Sequence, residues 1–137
     1  PHMKRGSSII NSSSVTARKG SLGMVDYSST KGAIDAFTRS MAMQLKPKGI
    51  RVNAVAPGYT LSDGLKAKIA AGERNPDAIL ETTALKKFVQ PEDVAEAALF
   101  LCSGRAASIT GVTLPVDAGW LVQAPYAHYQ RGNPIRT

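Results

Sequence analysis

DYSSTKGAIDAFTRSMAMQLKPKGIRVNAVAPG, residues 26–58, joins a helical pattern to a strand pattern across one sharp break. Ala33, Ile34, Phe37, Met41 and Leu45 recur at steps of three and four, so the spacing predicts a helix over 26–45 with that stripe facing the core. Pro47 and Gly49 end it. Residues 50–56, IRVNAVA, interleave β-branched residues and stop at Pro57-Gly58, which reads as a strand and a turn.

The same reading extends in both directions. SSIIN, residues 7–11, is a short apolar run bounded by polar residues and suits a buried strand; Ser12 to Gly23 reads as a loop. After Gly58 the pattern loosens, with a short helix expected over Asp63–Ala71 and a loop over Gly72–Pro76. Pro91 opens another helix where its missing N–H is harmless, Glu92 and Asp93 complement the helix dipole, and Gly104 closes it. Val94, Ala97, Ala98 and Leu101 form its expected buried stripe. VTLPV, residues 112–116, reads as a last strand, placed at an edge or an end by Pro115. Residues 123–137 carry no period and are expected to be a tail after a unit spanning 1–122.

Strands alternating with helices predict an α/β fold with a parallel sheet. Three strands make a thin sheet, and parallel strands are usually covered on both faces. The chain is therefore expected to be part of a larger sheet.

Composition narrows the function. Of 137 residues, 43% are apolar and 20% charged, the balance of a globular domain. No run approaches the roughly 20 apolar residues of a membrane span, and no signal-peptide pattern is visible at the start. The net charge of +7 comes from Lys and Arg scattered between Lys4 and Arg136 rather than gathered in a stripe, so neither nucleic acid nor a membrane is an expected partner. No metal site is expected. The single cysteine, Cys102, allows no internal disulfide and fits a reducing, cytoplasmic setting. Lying in ALFLCSG, it reads as a small core residue rather than a reactive thiol.

Chemistry concentrates in YSSTK, residues 27–31. Tyr27 and Lys31, four residues apart, share one face near a helix start. A cation beside a phenol favours the phenolate, so such a tyrosine can give or take a proton nearer neutrality. Alone the pair is equally a surface Tyr–Lys contact. Ser14 lies thirteen residues earlier, just after the SSIIN strand, and a loop there faces the ligand crevice of a parallel sheet. Residues 53–58, NAVAPG, end the next strand at the same edge, and Val116–Gly119 end the third.

Together IINSSS, YSSTKGAIDAFTRSMA, GIRVNAVAPG, PEDVAEAALFL and ITGVTLPVDAG, in that order, resemble the short-chain dehydrogenase/reductase family of single-domain type, over about residues 5–121. The resemblance implies a Rossmann-like doubly wound parallel sheet, of which this sequence holds the C-terminal part. It implies hydride transfer between NAD or NADP and a carbonyl or secondary alcohol. Tyr27 would be the general acid/base, Lys31 would bond the nicotinamide ribose, and Ser14 would polarise the substrate oxygen. Ser13 is its rival, which the spacing to Tyr27 disfavours. Pro57, Gly58, Tyr59, Thr60 and Ser62 would flank the nicotinamide, and the stretch from Thr60 to about Thr83 would be a closing lid. Pairing through the 26–45 helix implies a homodimer or homotetramer. The family's Gly-rich pyrophosphate loop has no counterpart in these 137 residues, so the sequence is expected to come from a longer polypeptide. The competing expectation is a non-enzymatic half-domain serving as an interaction or structural module.

Overall fold

The computed structural model describes residues 2–123. Its core is strand β2 (Arg51–Pro57), flanked by β1 (Ser8–Ser12) and β3 (Thr113–Val116) in a three-stranded sheet of order β1-β2-β3. Both pairings are parallel, with Ser8 opposite Arg51, Ser12 opposite Val55, and Pro57 opposite Val116. From Val52 to Ala56 every β2 residue is buried. The expected α/β parallel architecture is present, and β3, with its Pro115, pairs on one side only among the described residues.

The helices are α1 (Thr16–Lys19), α2 (Val25–Leu45), α3 (Asp63–Ala70), α4 (Pro76–Glu81) and α5 (Pro91–Cys102). Side chains alternate across a strand, so hydrogen bonds from the sheet reveal which face each helix covers. Asn11 and Thr113, both paired with Ala54, reach Thr38 and Asp35 of α2. Ser8 and Arg51, paired with each other and an odd number of residues away, reach the end of α5. The long helices therefore cover opposite faces, as in a doubly wound sheet. Because the strands also advance in one direction, the two crossovers have opposite hands, and one departs from the usual right-handed rule.

Arg51 secures that arrangement. Its Nη1 donates to the carbonyls of Leu101 (2.7 Å) and Ile109 (3.3 Å), and its Nη2 to those of Cys102 (3.3 Å) and Ser103 (3.1 Å). A helix C-terminus has carbonyls without intrahelical partners and carries partial negative charge; one planar guanidinium meets both needs. At the other end of α5, Pro91 opens the helix and a capping box joins Gln90 and Asp93. Val94, Ala97 and Ala98 are half-buried and Leu101 is buried, as their spacing predicts.

Two expectations about burial are corrected. On α2 the buried residues are Asp35, Thr38 and Ala42, while Phe37 is 54% exposed and Ala33 is also exposed. The helix lies close to the sheet, where Thr38 receives a hydrogen bond from Asn11 and Ala42 faces Gly111, so small and polar residues take the inner line. Cys102 is exposed as well, because Leu101 takes the inward position at the end of α5.

Two further segments differ from the sequence reading. The Ser12–Gly23 loop contains the single-turn α1, and the loop expected to end at Pro76 gives way to α4 there. Asn75 caps α4 by accepting from the N–H groups of Asp77 and Ala78, and Pro76 occupies its first turn. The expected tail, 123–137, lies outside the described residues except for Gln123.

Replacing Arg51 with alanine removes a donor from four carbonyls at once, of which Leu101 keeps Ser8 and Ile109 keeps Asn53. The expected loss is about 1.5–3 kcal/mol, the range for hydrogen bonds from a charged group. It should appear as a lower urea midpoint with an unchanged slope. A midpoint within error of wild type would show that water replaces the clamp without loss.

Candidate active site

The parallel register brings three strand ends to one edge, and the ladder continues past them. Ser13 N–H donates to the Val55 carbonyl (2.8 Å), Val15 N–H to that of Pro57 (3.3 Å), and Gly58 N–H to that of Val116 (2.9 Å). A cleft of about 190 Å³ opens where these segments meet the start of α2. It is lined by Ser14, Val15, Thr16, Ser21, Met24, Tyr27, Pro57, Gly58, Tyr59 and Trp120.

Ser14 is buried, and its Oγ accepts from the Thr16 N–H (3.3 Å) and the Thr16 hydroxyl (3.1 Å). Those bonds use its lone pairs and leave its own O–H available as a donor. Ser13 is also buried, but its hydroxyl points to the Lys31 carbonyl on α2 (3.4 Å) and does not line the cleft. Tyr27 sits in the first turn of α2 and is 44% exposed, on the opposite wall from the β-strand loops. Lys31, one turn further along, stands behind it: Nζ donates to the Ser12 carbonyl (2.8 Å) and lies 5.6 Å from the Tyr27 ring centroid. The lysine thus ties the helix carrying Tyr27 to the strand end carrying Ser14.

Gly58 is fixed by close approach. A Cβ there would lie 2.8 Å from the Asp117 Cα, a main-chain atom that cannot swing aside. Thr60 and Ser62 do not line the cleft. Thr60 pairs with Val89 in an isolated bridge and its hydroxyl donates to the Gly58 carbonyl (3.3 Å). Ser62 is the exposed cap of α3, accepting from the Leu65 N–H (3.4 Å). The segment expected to be a lid holds the expected short helix as α3, adds α4, and is anchored by buried Ile79 and Thr83.

Several lining residues escaped sequence reasoning, Trp120 chief among them. It follows the Asp117-Ala118-Gly119 turn, in which the Asp117 carboxylate accepts from the N–H groups of Gly119 and Leu121 (2.9 Å each). Its indole meets the Tyr59 ring edge to face, with centroids 6.4 Å apart and an 80° interplanar angle. Lys19 Nζ sits 4.9 Å from the centroid of the Trp120 ring and donates to the carbonyls of Trp120 (3.2 Å) and Gln123 (3.1 Å). The signal for Trp120 was its place directly after a strand end already assigned to this edge. Among the described residues no group of three or more His, Cys, Asp or Glu could hold a metal ion, and no helix is long and apolar enough to cross a membrane.

Comparison with known proteins agrees with this geometry. Residues 1–121 match the family model described as Enoyl-(Acyl carrier protein) reductase. The uncharacterized oxidoreductase YhxC of Bacillus subtilis (strain 168) is 43% identical over 122 residues, which is 89% of this chain and 42% of the relative. The 3-ketoacyl-(acyl-carrier-protein) reductase from Brucella melitensis, solved in complex with NADH, superposes with a TM-score of 0.74 at 32% identity, over 84% of this chain and 44% of that one. ElxO with NADP bound gives a TM-score of 0.80 at 36% identity, over 85% and 47%. The chain thus spans less than half the length of these relatives. The family match over nearly all the described residues, joined to a doubly wound parallel sheet, places the chain in the short-chain dehydrogenase/reductase family.

Proposed function

We propose that the protein is an oxidoreductase that uses NAD or NADP to move a hydride to or from a carbonyl or secondary alcohol, with Tyr27 as general acid/base. The observation that carries this reading is the cleft in which Ser14 and Tyr27 meet the Pro57–Tyr59 backbone. The NADH and NADP complexes of the two solved relatives support the cofactor class. A cytoplasmic site of action is part of the proposal and fits a chain whose one cysteine is a free thiol.

The residues present suit the nicotinamide-ribose end of such a cofactor. Lys31 uses one N–H on the Ser12 carbonyl, and an ammonium has three, so it retains donors for ribose hydroxyls. Gly58 and Pro57 leave open backbone at the cleft, with Tyr59 and Thr60 beside them and Ser62 beyond as a hydroxyl donor. A bound nicotinamide would supply or accept the hydride. Ser14 would hold the substrate oxygen by donating its free O–H. Tyr27 would give its phenolic proton to that oxygen as the carbonyl carbon is reduced, or take the proton back as the alcohol is oxidised. Lys31 would stabilise the phenolate from behind the ring. The α3–α4 segment, residues 60–83, would close over the substrate.

Tyr27→Phe removes one hydroxyl and little volume. Turnover should fall by about 10²–10⁴, the usual contribution of a general acid/base, while NAD(P)H affinity, read by fluorescence titration, stays within threefold of wild type. Turnover that survives the substitution would assign the proton transfer to another group. A complete lack of activity in wild type with both cofactors, across a panel of carbonyls and alcohols, would favour the non-enzymatic module.

Lys31→Ala should weaken cofactor binding and slow turnover together. Fluorescence titration of NAD(P)H and steady-state rates in both directions test this. Wild-type affinity with an unmoved rate would remove both roles.

The exposed face of α2 supports a homodimer or homotetramer. Phe37 and Met43 are 54% and 70% exposed, and Ala33, Ala36 and Ser40 beside them are small enough for a second helix to approach closely. Light scattering at micromolar concentration should give at least twice the protomer mass, and Phe37→Glu should return a monomer. A wild-type monomer would refute the assembly.

A further inference from the structure

The cleft lining is chemically mixed. Ser14, Thr16, Ser21, Tyr27 and Tyr59 bring hydroxyls to it. Met24, Pro57 and the rings of Tyr59 and Trp120 bring apolar surface, and no side chain lining the cleft among the described residues is charged. A polyol lying against the Met24, Pro57 and Trp120 surface would set hydroxyl groups against apolar carbons and lose bonds to water there. A phosphate or carboxylate would find no cation in the lining itself. An apolar ring has neither penalty.

The aromatic wall is also held in place. Tyr59 and Trp120 meet edge to face, so the pair fixes its own geometry. Lys19 stands above the indole with its ammonium committed to the carbonyls of Trp120 and Gln123. Behind Trp120, Gly119 at φ 82° seats against Ala84, where an added Cβ would come within 2.6 Å of the Ala84 Cβ, and Leu85 N–H donates to the Ala118 carbonyl (3.0 Å). A wall ordered before binding does not have to be ordered by the ligand.

We propose that this cleft selects an apolar, ring-bearing carbonyl compound or the corresponding alcohol. The ring lies against Trp120 and Tyr59, and the oxygen points to Ser14 and Tyr27. The proposal rests on the reading of the cleft as the substrate site, and it deepens that reading by naming the substrate class.

Trp120 is the one tryptophan of the chain, so its emission reports this wall directly and without turnover. Acetophenone and ribitol are the probes, with Trp120→Phe as the blank and free tryptophan as the control for collisional quenching. Acetophenone should quench Trp120 saturably and ribitol should not. Tyr59→Leu should weaken acetophenone binding by roughly two- to tenfold, the worth of one aromatic contact, and Tyr59→Phe should restore it. Linear, collision-like quenching by acetophenone, or saturable binding of ribitol at equal strength, overturns the proposal. Tyr27→Phe separates it from the catalytic reading. Ring binding retained with turnover lost supports both, whereas turnover that depends on Tyr27 without any ring binding sinks the substrate class alone.

Discussion

Parallel pairing of β2 on both sides is the constraint from which the site follows. With Ser12 opposite Val55 and Pro57 opposite Val116, the chain must leave all three strands at one edge. Antiparallel pairing of either neighbour would have sent one of those loops to the far end of the sheet. Parallel pairing also requires long returns. One is α2, which enters at the functional edge and so carries Tyr27 and Lys31 in its first turns. The other runs from Gly58 to Val112 and supplies the α3–α4 segment and α5. The hydrogen bonds that prolong the ladder beyond Ser12 and Pro57 then draw the loops together until a Cβ on Gly58 would strike Asp117.

The layer between α2 and the sheet shows how tightly that geometry is held. Large apolar residues would keep the helix away, and the inner line uses Asp35, Thr38 and Ala42 instead. Buried polar groups need partners. Thr38 receives from Asn11 (2.9 Å), and the Asp35 carboxylate accepts from the Thr113 hydroxyl (3.0 Å). Arg18 of α1 donates to the Thr113 carbonyl at 2.7 Å, while its Nε lies 3.9 Å from the Asp35 carboxylate. The short hydrogen bonds are therefore the stronger ties. The ion pair is long, and its arginine is 42% exposed, so solvent screens much of the attraction. The chain of contacts joins the turn after Ser14, the helix bearing Tyr27 and the last strand. Side chains of Ser14 and Tyr27 can face each other across a small cleft because their backbones are pinned to common partners.

Much of this was legible in the sequence, and the failures share a cause. Strand and helix positions followed from periodicity and from Pro and Gly punctuation, with ends shifted by a residue or so at β1, α2, β2 and β3. Ser14, Tyr27 and Lys31 were legible because their spacing is local, either within one helix or across one loop. Phe37 and Cys102 were misjudged because periodicity finds an apolar line without saying whether a sheet, a second chain or solvent faces it. The burial of Asp35 was invisible for the same reason, since its partners Arg18 and Thr113 lie 17 and 78 residues away. Trp120 belongs to a third loop whose approach to Tyr59 depends on the register of β3 against β2, which no local pattern encodes. The α4 helix was missed for a weaker reason: Asn75-Pro76-Asp77 is a good start signal that the neighbouring Gly72 and Pro76 disguised as a loop.

The placement of charge completes the picture. Two lysines approach the cleft, and neither lines it. Lys31 stands 5.6 Å from the centroid of Tyr27 and Lys19 stands 4.9 Å from that of Trp120, each anchored by main-chain carbonyls. A cation over a ring face is attracted to the ring's negative quadrupole and holds the ring in place. Among the described residues the lining of the cleft thus carries no formal charge, while both ammonium groups stand just outside it. A neutral ligand entering such a cleft displaces no tightly hydrated ion from its lining. A lysine projecting into the cleft would instead have brought its own hydration shell and a binding point for anions.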